Sequence, residues 1–313
     1  MIKIGYFGDG PWASLALSHI ADKPEQFSVR FITPRYDTQD PKLKEWAQEL
    51  DVPFLPHSNV NDGAFIETIA AFECDVFVSM SFNQILKIEL IETPPMGFIN
   101  CHAGALPFYR GRNPLNWVLI NGEKEFGVTV HYMDEGIDTG DIIKQNMVPI
   151  KPNDDYGDLL KKAHSSCADT LIEALLTIEK GLADRVDQKS IHPVGFYCGK
   201  RGPGDEWINW SGTAQNIHNF IRGIALPGPG ARAIMGEEEV ALLKSRLIGD
   251  APHYKCTNGE VVGRSDEGVT IKTGDSTLLI TKACMIKDGN VTEGFTPSWL
   301  IGTRLKSGLN NNE

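Results

Sequence analysis

Met1-Ile2-Lys3-Ile4-Gly5-Tyr6-Phe7-Gly8-Asp9-Gly10-Pro11-Trp12-Ala13 opens the chain. An apolar run of strand length leads into a glycine-punctuated turn, and apolar residues at helical spacing follow over Trp12–Ile20. This is the strand, turn and helix of an α/β unit, and the pattern repeats. Further strands are predicted at Phe27–Thr33, Asp75–Ser79 and Gly97–Cys101, with helices at Lys42–Leu50 and Asp62–Ala71. Asp51-Val52-Pro53 ends the first of these helices, because proline removes a donor and restricts the residue before it. Strands alternating with helices build a Rossmann-like, mostly parallel sheet with helices on both faces. Two more strands, Gly127–Tyr132 and Ile142–Ile150, precede a long helix from Asp155 to Lys180, started by Pro152-Asn153-Asp154-Asp155 and stopped by Gly181.

The second half changes character. A Gly- and Pro-bearing connection is followed by a helix over Thr213–Ile224 and by Pro227-Gly228-Pro229-Gly230. Short strands then recur at Ala231–Met235, Glu239–Ile248, Glu260–Arg264, Gly268–Lys272 and Thr277–Cys284, a spacing that fits a small OB-like β-barrel. The expected division is a catalytic domain over 1–190, a linker over 191–205, an OB-like domain over 206–306 and a disordered tail over 307–313.

With 313 residues the chain is long enough for about two domains, each with its own core. No apolar run approaches the roughly 20 residues of a membrane span, so no membrane partner is expected. The N-terminus reads as a strand and not as a signal peptide, which makes cytoplasmic residence the expectation. Six cysteines without a C-x-x-C pair signal neither a disulfide framework nor a zinc site, and no metal is expected. Acidic residues outnumber basic ones by 41 to 30, for a net charge of −11. Binding to a polyanion draws on a local excess of lysine and arginine, so a small molecule is the more natural partner.

Gly8-Asp9-Gly10-Pro11-Trp12-Ala13 has the G-x-G-x-x-A form that lets a backbone approach a phosphate. The second strand, however, ends Phe31-Ile32-Thr33-Pro34 without the acidic residue that holds a dinucleotide's ribose. Gly10 is therefore a candidate to touch part of a substrate, not a nicotinamide cofactor.

The denser signal is Asn100-Cys101-His102-Ala103-Gly104-Ala105-Leu106-Pro107-Phe108-Tyr109-Arg110-Gly111-Arg112-Asn113-Pro114, directly after an apolar strand. Asn100 and His102 lie two apart and point to one side, with Cys101 turned away. An amide donor thus stands beside an imidazole able to exchange a proton. The acidic loop Met133-Asp134-Glu135-Gly136-Ile137-Asp138-Thr139-Gly140-Asp141 offers a carboxylate to orient that imidazole, the geometry asked of acyl transfer. His131 sits inside a strand and reads as structural.

Asn100-x-His102, the Leu-Pro-x-Tyr-Arg-Gly segment and Asp138, 36 positions after the histidine, together resemble the folate-dependent formyltransferase family. That family includes methionyl-tRNA formyltransferase and the nucleotide-sugar N-formyltransferases. The resemblance extends through Asp205–Trp210 and Asn216–Ile224 to the join with the family's OB-like domain. It implies Asn100, His102 and Asp138 as catalytic residues and 10-formyltetrahydrofolate as formyl donor. It further implies a cofactor pocket made by Phe82, Gln84, Ile85 and Leu86 together with Asp134 and Gly136. Gly111 through Glu123 resembles the amino-sugar branch, and Thr33–Asp40 carries one arginine and two aspartates where the tRNA enzymes carry a basic insertion. A nucleotide-linked amino sugar is the expected acceptor, with Arg110 and Arg112 as candidates to meet its anionic or polar part. Initiator tRNA is the alternative acceptor, a non-catalytic folate or nucleotide-sugar binding protein the lesser one, and a homodimer stays open.

Overall fold

The computed structural model describes residues 1–308, so residues 309–313 of the expected tail lie outside the described part. In chain order the elements begin β1 (Ile2–Gly8), α1 (Gly10–Ala21), β2 (Phe27–Pro34), α2 (Pro41–Glu49), α3 (Gly63–Ala70), β3 (Val76–Met80) and α4 (Ile88–Ile91). They continue with β4 (Phe98–His102), β5 (Arg110–Gly111), α5 (Pro114–Ile120), β6 (Glu125–Tyr132), β7 (Ile142–Pro149), α6 (Tyr156–Glu179), α7 (Gln188–Ile191) and β8 (Tyr197–Cys198). The C-terminal part holds α8 (Ala214–Gly223), β9 (Ala231–Met235), β10 (Glu238–Leu247), β11 (Val261–Ser265), β12 (Gly268–Lys272), β13 (Thr277–Lys287), β14 (Asn290–Val291) and β15 (Leu305–Lys306). Two compact units result: one of residues 1–114, 125–149 and 161–198, the other of 115–124, 150–160 and 199 onward.

In the first unit a six-stranded sheet runs in the order β2-β1-β3-β4-β6-β7. Strands β1 to β4 pair in parallel, whereas β6 pairs antiparallel with both β4 and β7. The helical crossovers between the first four strands explain the parallel part, and the short connection between β6 and β7 enforces the antiparallel part. One face of the sheet carries Phe7, Phe31, Phe77 and Phe98, buried with Phe65, Ile69 and Leu90 of the surrounding helices and turns. Phe7 lies at its centre, fully buried, with ring centroids of Phe31, Phe77, Phe82 and Phe98 at 5.0–5.6 Å. Because alternate residues of β1 face opposite ways, Tyr6 turns to the other side, where its hydroxyl donates to the Ala13 carbonyl of α1 at 2.8 Å. Cys101 points to that side too, its thiol 3.6 Å from the Cys167 carbonyl of α6.

The second unit is an antiparallel sheet in the order β11-β12-β13-β10-β9-β15, with β14 added to β13. Its two edges meet: the Val261 amide donates to the Thr303 carbonyl at 2.8 Å and the Leu305 amide to the Gly259 carbonyl at 2.9 Å. Pairing the edges removes the exposed ladder that an open sheet would present. Helix α8 packs Ile217 and Ile221 onto the core formed with Val240, Leu242, Val269 and Ile280. Among the described residues no helix is long and apolar enough to cross a membrane.

Phe7→Ala removes the ring on which four others rest, and large-to-small changes of this kind cost about 3–5 kcal/mol. The urea transition of the first unit should move to lower denaturant in Phe7→Ala, and less so in Phe7→Leu.

Candidate active site

Strand β1 feeds β2 on one side and the next parallel strand, β3, lies on its other side, which opens a crevice beyond the carboxyl ends of the sheet. A cavity of about 550 Å³ lies there, with Ser81, Phe82, Asn100, His102, Asp134 and Asp138 in its wall. Asn100 and His102 close β4 on its cavity side, and the antiparallel register sets Asn100 opposite His131 of β6.

The trio converges on one carboxylate. Asp138 Oδ2 accepts the Gly111 backbone N–H at 2.8 Å and stands 3.6 Å from His102 Nδ1. Its Oδ1 stands 3.6 Å from His131 Nε2. Burial works against the charge of this carboxyl, but His102, His131 and the Gly111 N–H outweigh it and hold the group well below the usual carboxylate range. His102 Nε2 lies 2.7 Å from the Tyr109 carbonyl. A carbonyl only accepts, so Nε2 carries a proton; Nδ1, beside Asp138, carries a second in the imidazolium, the form in which His102 favours the ionised carboxylate, and a lone pair once that proton is released. The hydrogen bond that orients the imidazole therefore comes from Tyr109, and Asp138 acts as the charge partner across a longer gap. His131 Nδ1 lies 2.7 Å from the Tyr132 carbonyl and so carries a proton, and Nε2 stands between Asn100 Nδ2 at 3.3 Å and Asp138 Oδ1 at 3.6 Å, accepting from the amide in the neutral ring and donating to the carboxylate in the imidazolium. One amide hydrogen of Asn100 is fixed this way and the second remains for a ligand.

Backbone geometry supports this convergence. Ser81, Tyr109, Asn113 and Asp138 are four of the nine non-glycine residues at positive φ among the described residues, and all four lie in or beside this site. The left-handed Tyr109 turns its carbonyl onto His102. Gly111, at φ 90, could carry no side chain without meeting the Cys198 carbonyl, 2.7 Å from where its Cβ would stand. A Cβ on Gly104 would come within 2.6 Å of His102 Nε2 and 2.8 Å of the Tyr109 carbonyl oxygen.

The remaining candidates divide. Phe82, Gln84, Ile85, Leu86, Asp134 and Gly136 all border the cavity. The Gln84 side chain, however, braces the neighbouring loop: its oxygen accepts from the Val60 amide and its nitrogen donates to the His57 carbonyl, both at 2.9 Å. Asp134 accepts from the Gly136 amide at 3.0 Å and the Thr139 hydroxyl at 2.6 Å, shaping its own loop. Arg112 is exposed at the cavity wall. Arg110 is buried and engaged, with Nε and Nη2 donating to Gln188 Oε1 at 3.0 and 2.7 Å and Nη1 to the Val194 carbonyl at 3.2 Å. Gly10 stands apart, outside the cavity wall, its N–H taken by Asp40 at 2.8 Å.

Three cavity or support residues escaped the sequence reading. His131 is buried as a strand residue should be, yet it touches Asn100 and faces Asp138; strand alternation sets it on the face opposite Val128 and Val130, and only the register of β6 on β4 reveals the contact. Arg35 lines the cavity from the end of β2, and Gln188 lies behind it in α7. Among the described residues no group of three or more metal-binding side chains is assembled.

An ionised carboxylate paired with an imidazole beside a free amide hydrogen, facing a cavity of small-molecule size, defines a group-transfer enzyme. The chain belongs to the formyl transferase family: residues 29–175 match its Formyl transferase domain and residues 201–289 its Formyl transferase, C-terminal domain. It is 32% identical over 285 residues to a methionyl-tRNA formyltransferase of Desulforamulus reducens, covering 89% of either chain. It is 35% identical over 269 residues to that of Clostridioides difficile, covering 85% of this chain and 84% of the other. Among solved structures, an N-formyltransferase from Helicobacter canadensis in complex with folinic acid and dTDP-3-aminofucose superposes with a TM-score of 0.68 at 24% identity, over 90% of this chain and 99% of its own. A sugar 3N-formyl transferase with dTDP and 5-N-formyl-THF gives 0.66 at 24%, over 90% and 97%. These two likenesses concern the fold.

A carboxyl depressed in the folded state adds stability above its unfolded value, near 3.9, and loses it as pH falls towards the folded value. The stability difference between the protein and Asp138→Asn, followed by chemical denaturation, should therefore be constant above about pH 5 and turn against the unsubstituted protein below about pH 4. A difference that stays flat down to pH 3 contradicts the ionised assignment. Gly104→Ala should also depress formyl transfer on the order of 100-fold by displacing His102 from the Tyr109 carbonyl, and should lower the denaturation midpoint, since its Cβ meets that backbone carbonyl.

Proposed function

We propose that the chain transfers a formyl group from 10-formyltetrahydrofolate to the primary amine of a nucleotide-linked amino sugar. The observation that carries the acceptor is the segment after β2. Its only arginine turns inward, with Arg35 Nη1 3.5 Å from Asp9 and Nη2 donating to the Ser81 hydroxyl at 3.2 Å. Asp37 accepts from the Asn83 amide, and Asp40 from the Gly10 and Lys42 backbone amides. Such a segment gives little to a chain of phosphates, whose binding rises with each outward lysine or arginine. A small acceptor needs only a cation or two, and Arg35 and Arg112 border the cavity. The dTDP-3-aminofucose bound by the Helicobacter canadensis enzyme is in line with this reading. For the donor, support comes from the loops Phe82–Leu86 and Asp134–Asp138 flanking one cavity, and from folinic acid in that same neighbour.

The reaction joins the amine nitrogen to the formyl carbon, passes through a tetrahedral oxyanion and breaks the bond from that carbon to the folate nitrogen, which leaves with a proton. Asn100 donates its second amide hydrogen to the oxyanion. His102 Nδ1 takes the amine proton and returns it to the leaving nitrogen, and Asp138 stabilises the imidazolium formed between those steps. His131 holds Asn100 in its donating orientation. Arg110, being buried on Gln188, is withdrawn from acceptor contact.

Initiator methionyl-tRNA is the second reading, favoured by relatives of 32% and 35% identity that carry that name. Incubation with 10-formyltetrahydrofolate and either a panel of dTDP- and UDP-linked amino sugars or methionyl-tRNA, read by mass spectrometry, separates the two. Faster formylation of the tRNA reverses the assignment. Asn100→Ala, His102→Ala and Asp138→Ala should each lower turnover by at least about 100-fold, the usual effect of losing one preorganised donor, while folate-analogue binding by calorimetry persists. Full turnover in His102→Ala would overturn the mechanism.

A further inference from the structure

Asp138 sits in a left-handed backbone conformation, φ 55, which a residue bearing a side chain keeps only when its surroundings enforce it. The enforcement is visible. Gln188, 1% exposed, donates from Nε2 to the Asp138 carbonyl at 2.9 Å and to the Gly140 carbonyl at 2.8 Å, spanning the turn on either side of Thr139. Its Oε1 accepts both Nε and Nη2 of Arg110. This fixes the orientation of the amide, since the oxygen must face the guanidinium and the nitrogen the two carbonyls. Arg110 is anchored in turn by the Val194 carbonyl and lies under the Tyr197 ring, 5.4 Å from its centroid. The next residue along, Gly111, gives its N–H to the Asp138 carboxylate. Residues 110 and 111 thus grip Asp138 at both ends, one through its carboxylate and the other, by way of Gln188, through its carbonyl.

We infer that Gln188 and Arg110 are positioning residues for formyl transfer: the closed circuit Arg110–Gln188–Asp138–Gly111 sets the angle at which the carboxylate meets His102. This rests on the reading that Asp138 and His102 act in the transfer. A circuit of this kind is also a stabilising core feature, and the two roles separate experimentally. A carboxylate that swings out of line loses its contacts with His102, His131 and Gly111 together, whereas a merely structural brace leaves those contacts intact.

The decisive variants are Gln188→Met, which keeps length and removes every hydrogen bond, and Arg110→Lys, which keeps the charge and loses the forked donation. In full-length protein verified as folded by circular dichroism, Gln188→Met should lower kcat on the order of 10- to 100-fold, the scale expected of a displaced catalytic group, with KM for donor and acceptor little altered. Arg110→Lys should fall between it and the unsubstituted enzyme, and it serves alone should Gln188→Met not fold. In an Asp138→Asn background the Gln188→Met change should add almost nothing, because groups that act as a unit are not additive. Carboxyl carbon NMR of Asp138, recorded without acceptor, should show its titration moving to higher pH in either variant. Unchanged kcat with an unmoved Asp138 titration overturns the inference, as does an equal kcat loss in the Asp138→Asn background. Were neither amino sugars nor methionyl-tRNA formylated, the acceptor reading would fail while the NMR titration still decided the circuit.

Discussion

A carboxylate withdrawn from water protonates unless donors and cations meet it. Around Asp138 they arrive from four parts of the chain: Gly111 from β5, His102 from the end of β4, His131 from β6 and, through the backbone, Gln188 from α7. Each of those elements has its own packing to satisfy, so the charge is kept by residues that cannot easily drift. The same arrangement explains why two histidines converge here with different duties. Tyr109 and Tyr132 carbonyls fix one nitrogen of each ring, leaving the other nitrogen of His102 facing Asp138 and that of His131 between Asn100 and Asp138.

The sheet supplies the rigidity on which these contacts depend. Phe82 opens one cavity loop and stacks edge-on to Phe7, whose ring belongs to the centre of the aromatic core. Gln84 ties that same loop to the backbone at His57 and Val60. The wall of the cavity is therefore continuous with the core, while Ile85 and Ile137 extend from the two facing loops into solvent at 77% and 58% exposure. Apolar side chains exposed in this way at the mouth of a cavity are suited to cover the flat ring of a bound ligand.

Acceptor choice rests on different ground from the chemistry. Asn100 and His102 close a strand that the sheet itself positions, whereas the loops around the cavity can vary in sequence without disturbing the sheet. Relatives named for tRNA and structural neighbours named for sugars are alike in fold. In this chain the segment after β2 turns its arginine and its aspartates onto neighbours and onto backbone amides, a local electrostatic fact independent of the trio.

Periodicity by itself determined the architecture: β-branched and aromatic runs of strand length alternating with helical stretches permit few arrangements other than a sheet covered on both faces, and every long element falls within a few residues of its expected place. The pairing of Asn100 with His102 was equally legible, since strand alternation puts residues two apart on one side. Asp138 was legible through family resemblance, not through any local pattern. Register and long-range hydrogen bonding belonged to the tertiary structure. The antiparallel alignment of β4 and β6 brings His131 to Asn100, and the burial of Arg110 on Gln188, 78 positions along the chain, turns a candidate substrate contact into a brace. Such contacts join residues by proximity after folding. A one-dimensional pattern encodes which face a side chain takes, but not which distant partner waits on that face.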